Sequence, residues 1–270
     1  MNKNKAEASV KQPLFFPDLR TRSFDRELMD AEDCDQELLS RTIEQFNVLN
    51  RLFSSSGKLL KRYVLADMLR ARKAGFIGCG RAGAFRVIDV GCGGGDVLRW
   101  LSDACKHYGI PFEGLGVERD VRTAAQAKRA CAEDGTITIE YGDALASGPD
   151  GFLQRGTSDY VISNHVMHHL DHGQLVDFVR KAHVSARRGI LLNDLRRSVW
   201  AYIGYTIFTA LFIRRSFAYY DGRLSIRRGF VPADFDVALA DAGCRNVISV
   251  GTTSIARVFF VSKALMAKGK

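Results

Sequence analysis

Apolar positions along this chain follow two periods, and the change between them falls near residue 85. Leu38, Leu39, Thr42, Ile43, Phe46, Leu49, Leu52 and Phe53 recur at steps of three and four, the signature of one buried helix face. Gly57 interrupts the pattern, and Leu59, Leu60, Val64, Leu65, Met68 and Leu69 resume it. The stretch from about Phe24 to Arg72 is therefore expected to be helical. A polar start at 1–12, expected to be disordered, and a turn marked by Pro13 and Pro17 precede it. Four glycines between Gly75 and Gly83 read as a linker. From Phe85 onward, short apolar runs alternate with amphipathic stretches. Strands are expected at 85–90, 112–118, 137–141, 160–164 and 189–194, with helices at 96–107, 120–132 and 173–184. A helix opens at Pro232 and stops at Gly243. Two last strands, 245–251 and 256–262, lie close enough together to form an antiparallel hairpin. The alternation predicts an α/β class fold, a doubly wound and mostly parallel sheet of seven strands. The expected parts are an N-terminal helical extension over 1–75 and an α/β domain over 76–270, with an insertion at 196–231.

The most informative stretch is Phe85-Arg-Val-Ile-Asp89-Val-Gly91-Cys92-Gly93-Gly94-Gly95-Asp96, a strand running through a glycine-rich turn into a helix. Such a junction makes a nucleotide-sized site. A phosphate-binding loop needs Lys-Ser/Thr after its glycines, which this turn lacks. A dinucleotide fingerprint needs a third glycine where Asp96 stands, and a carboxylate there would repel a pyrophosphate. Acids on both sides of the turn suit a cationic ligand with hydroxyl and ammonium donors, which describes S-adenosylmethionine. The run from Val87 to Asp96 closely resembles the first motif of class I S-adenosylmethionine-dependent methyltransferases. That resemblance implies a Rossmann-like sheet with an antiparallel last strand and S-adenosylmethionine as cofactor.

Ligands of open parallel sheets bind outside the carboxyl ends of the strands, so the remaining partners are sought there. Asp89, Gly91, Cys92 and Gly93 end the first strand, and Glu118 and Arg119 end the second, where a carboxylate can take both ribose hydroxyls. The Gly142-Asp143-Ala144 pattern ending the third strand is, by the resemblance, the holder of the adenine amino group. Asn164 and His165 end the fourth, beside the amino acid part of the cofactor. The Pro-Pro-aromatic and Pro-Cys motifs of nucleic-acid amino- and cytosine C5-methyltransferases are absent there, where the chain reads Ser163-Asn164-His165-Val166. A phenolic or enolic acceptor must lose a proton during attack, and histidine suits that work at neutral pH. His168 or His169 is the expected base, with Asp194 at the end of the fifth strand next. The same residues also fit a helix cap or a packing role.

Composition is that of a globular protein. Six cysteines at 34, 79, 92, 105, 131 and 244 show no C-x-x-C pair and no metal-ligand spacing, so reduced thiols and a cytoplasmic location without a bound metal are expected. The basic start has no apolar run of a secretory signal. The net charge of +9 sits in one window, 180–230, with eleven Lys/Arg against Asp194 and Asp221. Within it, residues 199–213 carry no charge and are flanked by Arg196, Arg197, Arg214 and Arg215. At about 1.5 Å per residue such a helix is too short to span a bilayer. Tyr202, Tyr205, Thr206 and Thr209 share one of its faces, away from Trp200, Ile203, Ile207 and Leu211. Three uses remain open: a buried packing helix, a cap whose Tyr/Thr face touches the acceptor, or a peripheral contact with an anionic membrane. Tyr219 to Arg228 reads as a polar, basic turn at the pocket entrance, which makes Tyr219 a further acceptor contact. The segments 27–30, 193–198 and 221–234 resemble a bacterial group related to ubiquinone/menaquinone methyltransferases, often found with polyketide or aromatic lipid biosynthesis. The expected function is O-methylation of a hydrophobic phenolic, quinol or polyketide-type molecule. The alternatives are C-methylation of a quinone-like ring, an RNA methyltransferase using the basic window, or cofactor binding without catalysis.

Overall fold

The computed structural model describes residues 17–31, 33–146, 148, 151–213, 215–253 and 256–266. The expected disorder at 1–12, Pro13, Arg214 and the tip of the last hairpin at 254–255 lie outside the described residues. Strands β1 (Phe85–Val90), β2 (Phe112–Glu118), β3 (Ile137–Tyr141), β4 (Ser158–Asn164), β5 (Ala186–Leu195), β6 (Ile248–Thr253) and β7 (Arg257–Ser262) form one sheet. Their order is β3-β2-β1-β4-β5-β7-β6, parallel from β3 to β5, with β7 antiparallel to both of its neighbours. This is the Rossmann-like seven-stranded arrangement that the alternation of runs predicts. The central strands β1, β4 and β5 are nearly continuously buried because helices cover both faces.

The helices are α1 (Gln36–Phe53), α2 (Ser56–Leu59), α3 (Ala66–Lys73), α4 (Asp96–His107), α5 (Val121–Ala130), α6 (His172–Ser185), α7 (Val199–Phe212), α8 (Ala218–Arg228), α9 (Pro232–Asp241) and α10 (Lys263–Met266). A π-helical stretch, Leu60–Leu65, carries α2 into α3 without a break. On one face of the sheet Leu60, Val64, Met68 and Leu101 pack with Phe85 and Phe259. On the other, Phe178 of α6 and Phe235 of α9 pack with Ile88, Val161 and Phe260. Residues 59–71 of the N-terminal extension thus share a core with the strands. A buried polar knot reinforces that join: Tyr160 Oη donates to Asp67 (2.8 Å) and so does Arg188 Nε (2.7 Å).

Two local expectations differ from the structure. Among the described residues between Phe24 and Asp35 the one helical piece is a 3-10 turn at Leu28–Asp30 flanked by extended Glu27 and Ala31, and α1 begins at Gln36. The backbone N–H groups of Leu28 and Met29 donate to the buried carboxylate of Asp221, 2.8 and 3.0 Å away. The stretch expected as a polar turn, 219–228, is the helix α8, and Asp221, Arg223 and Arg228 on it are buried. Gly222 lies inside α8 because Tyr205 of α7 packs directly against its backbone, leaving no room for a side chain.

Candidate active site

The glycine turn between β1 and α4 holds Gly91, Gly93 and Gly95 at φ of 68°, 53° and 75°. A side chain on Gly91 would collide with Val166, so this turn and the chain leaving β4 are mutually fitted. Gly93 faces open space instead: among the described residues, nothing lies within 4 Å of the place a methyl group would occupy. Glu118 at the end of β2 ties the turn down: its carboxylate accepts from Gly93 N and Asp120 N, each at 3.0 Å.

These strand ends open into one cavity of about 1530 Å³. Single-ligand pockets hold about 300–1,000 Å³, so there is room for a cofactor and an acceptor together. Of the expected cofactor residues, Gly91, Gly93, Glu118, Arg119, Asp143, Ala144, Asn164 and His165 line it. Asp89 and Cys92 do not. Cys92 is buried, and burial beside Asp89 and Glu118 pushes its thiol far up, so it is a core residue. Asp89 is buried beneath the turn, and burial together with Asp96 and Glu118 raises its carboxyl well above the usual range. Its Oδ2 has no hydrogen-bond partner among the described residues. Three carboxylates around an open glycine turn, one incompletely satisfied, fit a ligand that brings positive charge and hydroxyls.

The chemistry gathers where β4 and β5 end side by side. Asn164 pairs in register with Asn193, which sets the next residues of both strands together. The chain turns sharply at His165, whose φ is 64°, and enters a 3-10 turn at Met167–His169. This brings His168 onto Asp194. Asp194 Oδ1 lies 2.8 Å from His168 Nδ1, and Oδ2 accepts from His168 N at 2.9 Å. Both residues are buried. Burial pushes the Asp194 carboxyl up, but the neighbouring His168, its hydrogen bond and the Leu195 N–H outweigh this and hold it well below the usual range. An ionised Asp194 at Nδ1 makes that nitrogen the donor and leaves Nε2 as the acceptor. Nε2 looks toward Glu27, 3.9 Å away, in a part of the cavity both residues line. His169 stacks on His168 with ring centroids 4.2 Å apart and lacks the carboxylate contact. His169 is exposed to the cavity, where desolvation by its surroundings, with His168 and Arg228 close by, lowers its pKa and favours the neutral ring. His165 is likewise held neutral, by burial and by Arg257, and its Nε2 has no partner among the described residues.

Two residues here carried no chemical signal in the sequence. Glu27 accepts from Ser225 of α8 at 2.6 Å and stands 3.8 Å from Arg228 Nη1. Arg22 donates to the main-chain oxygens of His168 (3.2 Å), Leu170 (3.1 Å) and Arg228 (2.9 Å), fixing the turn that carries the histidines. Ligand atoms of Glu27, His168 and His169 all lie within 4.8 Å of one another, a grouping in space that linear spacing does not reveal.

The acceptor contacts expected on the insertion need correction. Tyr202, Thr206, Thr209 and Tyr219 do not line the cavity; of that set only Tyr205 does. Tyr202 Oη accepts from Arg223 (2.6 Å), whose guanidinium sits over both the Tyr202 and Tyr219 rings. Thr206 and Thr209 donate back to the carbonyls of Tyr202 and Tyr205. Tyr205 Oη donates to Ala218 O. The tyrosine hydroxyls of this face therefore join α7 to α8 and the threonine hydroxyls close on α7 itself, and the cavity receives Trp200, Ala201, Gly204 and Phe208 instead. Arg197, expected to flank a membrane contact, is buried and donates to Leu19 O, Gly229 O and Asp234. Among the described residues no helix is long and apolar enough to cross a membrane.

Over residues 87–189 the sequence matches a family model described as a methyltransferase domain. A search of curated proteins finds no match. Among solved structures, the chain is similar to the plantazolicin methyltransferase BamL in complex with a triazolic desmethylPZN analog and SAH: 13% identity, 82% of this chain, 89% of that chain, TM-score 0.57. It is also similar to the S-adenosylmethionine-dependent methyltransferase SibL (16% identity, 89% of this chain, 63% of that chain, TM-score 0.54). A third similar structure is the CMeT domain of the citrinin polyketide synthase, at 15% identity, 68% of this chain, 47% of that chain and TM-score 0.49. The chain thus spans less than two thirds of the length of the last two. Residues 87–189 thus match a methyltransferase domain, and the solved structures share its fold.

Proposed function

We propose that this methyltransferase moves the methyl group to a hydroxyl oxygen of an apolar aromatic acceptor, with His168 as general base. The observation that carries this reading is the buried Asp194–His168 pair, whose Nε2 faces the cavity that also opens onto the glycine turn. S-adenosylmethionine supplies an electrophilic methyl group on a sulfonium. Glu118 and Asp143 are placed to hold its ribose and adenine, and the buried carboxylates below the turn balance its charge. His168 Nε2 takes the acceptor proton as the oxygen bonds to the methyl carbon and the carbon–sulfur bond breaks. Asp194 keeps the imidazole in the accepting tautomer and stabilises the imidazolium that results.

The apolar lining from α1 and α7 supports an acceptor with a large apolar body, and so does the resemblance to the ubiquinone/menaquinone methyltransferase group. In BamL, a plantazolicin methyltransferase, the same fold is seen with a triazolic desmethylPZN analog and SAH. The RNA reading draws less support. Arg197, Arg223 and Arg228 of the basic window are buried, and Arg188 and Arg227 pair with Asp67 and Asp25, which withdraws five of its eleven basic residues from a phosphate-binding face. The test is methyl transfer from labelled cofactor to a panel of alkylphenols and quinols. His168→Gln should lower turnover about 100-fold or more while cofactor affinity stays within twofold. Equal turnover by the variant removes His168 from the reaction.

A further inference from the structure

A second, much smaller chamber of about 10 Å³ lies beneath the glycine turn, bordered by α2 and the π-helical stretch that follows it. Asp89 stands in register with Ile162, and Ile162 with Leu191. Asn164 and Asn193 pair two residues further along β4 and β5. Residues two apart on a strand share a face, so these five side chains line the chamber together. Asn164 also lines the large cavity and so forms the wall between the two. Two buried acceptors on this lining have no hydrogen-bond partner among the described residues: Asp89 Oδ2 and Asn193 Oδ1, on residues 1% and 3% exposed. The serines on the wall are already committed. Ser163 donates to Val90 O (2.8 Å), and Ser56 and Ser54 share a hydrogen bond (2.7 Å). Asn193 Nδ2 donates to Ser54 O (2.9 Å), at the corner between α1 and α2, and to Asn164 Oδ1 (2.7 Å).

We propose that one bound water fills this chamber and joins Asp89 Oδ2 to Asn193 Oδ1, which makes Asn193 a positioning residue of the cofactor site. A buried acceptor without a donor is costly, and native proteins leave few of them. A chamber of this size is at the lower limit for a single water and admits no second. Water brings two O–H donors, one for each orphaned oxygen, and its own oxygen can still accept. A metal ion does not suit the wall: Leu59, Leu60, Val97, Ile162 and Leu191 supply no side-chain oxygen, and a hard cation takes six or more. From the water the bridge continues through Asn193 Nδ2 to Asn164 on the cofactor side and to Ser54 on the extension. The N-terminal extension is thereby tied to the carboxyl group under the glycine turn. The inference rests on the cofactor reading above and adds to it a residue that does not line the large cavity.

The experiment is a double-mutant cycle on the affinity for S-adenosylmethionine, read by equilibrium dialysis with labelled cofactor. Asn193→Leu nearly keeps the volume but removes the acceptor, and should weaken binding about tenfold. Asn193→Ser returns a hydroxyl and leaves space for a further water, and should bring affinity back to within about threefold of wild type. In an Asp89→Ala background the bridge has already lost one end, so Asn193→Leu should cost less than about threefold there. A packing role alone would weaken binding equally in both backgrounds. Additive effects therefore overturn the proposal, and so does wild-type affinity in Asn193→Leu. A second measurement needs no variant and holds even where the leucine variant does not fold. A crystal structure of the free wild-type protein should show one water at about 3 Å from both Asp89 Oδ2 and Asn193 Oδ1; a dry chamber removes the bridge. If the wild-type protein binds no S-adenosylmethionine, the cofactor reading fails and takes the positioning role with it, while the water alone upholds or removes the bridge.

Discussion

Asp194→Asn is the sharpest perturbation of the proposed mechanism, because it changes a proton and almost no volume. In the native protein Asp194 accepts from His168 on both its main-chain and ring nitrogens, at 2.9 and 2.8 Å. An asparagine can still accept from the main-chain N–H through its oxygen. Its amide nitrogen must then donate to Nδ1, which moves the imidazole proton to Nε2. The atom facing the cavity becomes a donor, and the base is lost although the fold and the cofactor contacts remain. General-base catalysis contributes about 10²–10⁴ in rate, so kcat should fall by that factor, about 2.7–5.4 kcal/mol at 1.36 kcal/mol per decade. Asp194 acts through His168, so a merely structural role has to be separated from a positioning one, and pH does this. A simple phenol ionises near pH ~10. As the acceptor ionises in solution it no longer needs a base, and the deficit of the variant should shrink as pH rises from about 7 to 10. More acidic nitrophenols should show the recovery at lower pH. The assay is transfer of labelled methyl under saturating cofactor, with cofactor affinity measured by calorimetry in parallel. Turnover within threefold of wild type at pH 7, or a deficit that stays constant across the pH range, would refute the reasoning.

Two further outcomes follow from the buried carboxylates. The raised pKa of Asp89 leaves it protonated in the free protein at pH values where an ordinary carboxyl is ionised, and a cationic ligand beside it favours the carboxylate. Cofactor binding should therefore release up to one proton at pH values above the ordinary carboxyl range, read by calorimetry in buffers of different ionisation heat, and Asp89→Asn should abolish the release. Asp67→Ala breaks a largely buried pair with Arg188 and strands the Tyr160 hydroxyl, and should cost about 3 kcal/mol, lowering Tm by roughly 6–12 °C; a drop under about 2 °C would show that the knot contributes nothing net.

The sheet and the strand-end wall of the cavity were legible because both depend on local sequence. Each strand of the parallel sheet is a short apolar run, and the residues that follow it stand at one edge of the sheet whatever else the chain does. Gly91, Glu118, Asp143 and His165 therefore fell into place from order alone. Asp89 and Cys92 share that strand end but lie beneath the turn, a matter of side-chain direction that the motif does not encode. The acceptor half was less legible because it is made by contacts distant in sequence. Tyr219 to Arg228 reads as a turn from its Asp-Gly pair, but Asp221 is satisfied by Leu28 N and Met29 N and Arg223 by Tyr202, so the segment is buried as a helix. The wheel of residues 199–213 grouped its hydroxyls correctly. It could not say that those hydroxyls bond within the insertion and that the bare glycine faces the cavity.

Glu27 shows why the N-terminal extension and the α/β domain cannot be treated as separate units of function. Its carboxylate reaches the site because Asp221 holds the backbone at Leu28 and Met29 while Ser225 holds the side chain, both partners being on α8. The residue that Glu27 faces, His168, is fixed from below by Asp194 on β5 and through its carbonyl by Arg22 on the extension and Arg228 on α8. Three parts of the chain far apart in sequence thus hold one imidazole. When His168 takes a proton it becomes a cation between two carboxylates, and Glu27 opposes the repulsion that Arg228 alone would impose. On the proposed mechanism His168 is therefore competent only when extension, sheet edge and insertion are assembled together, and loosening any of the three should lower turnover without touching the glycine turn.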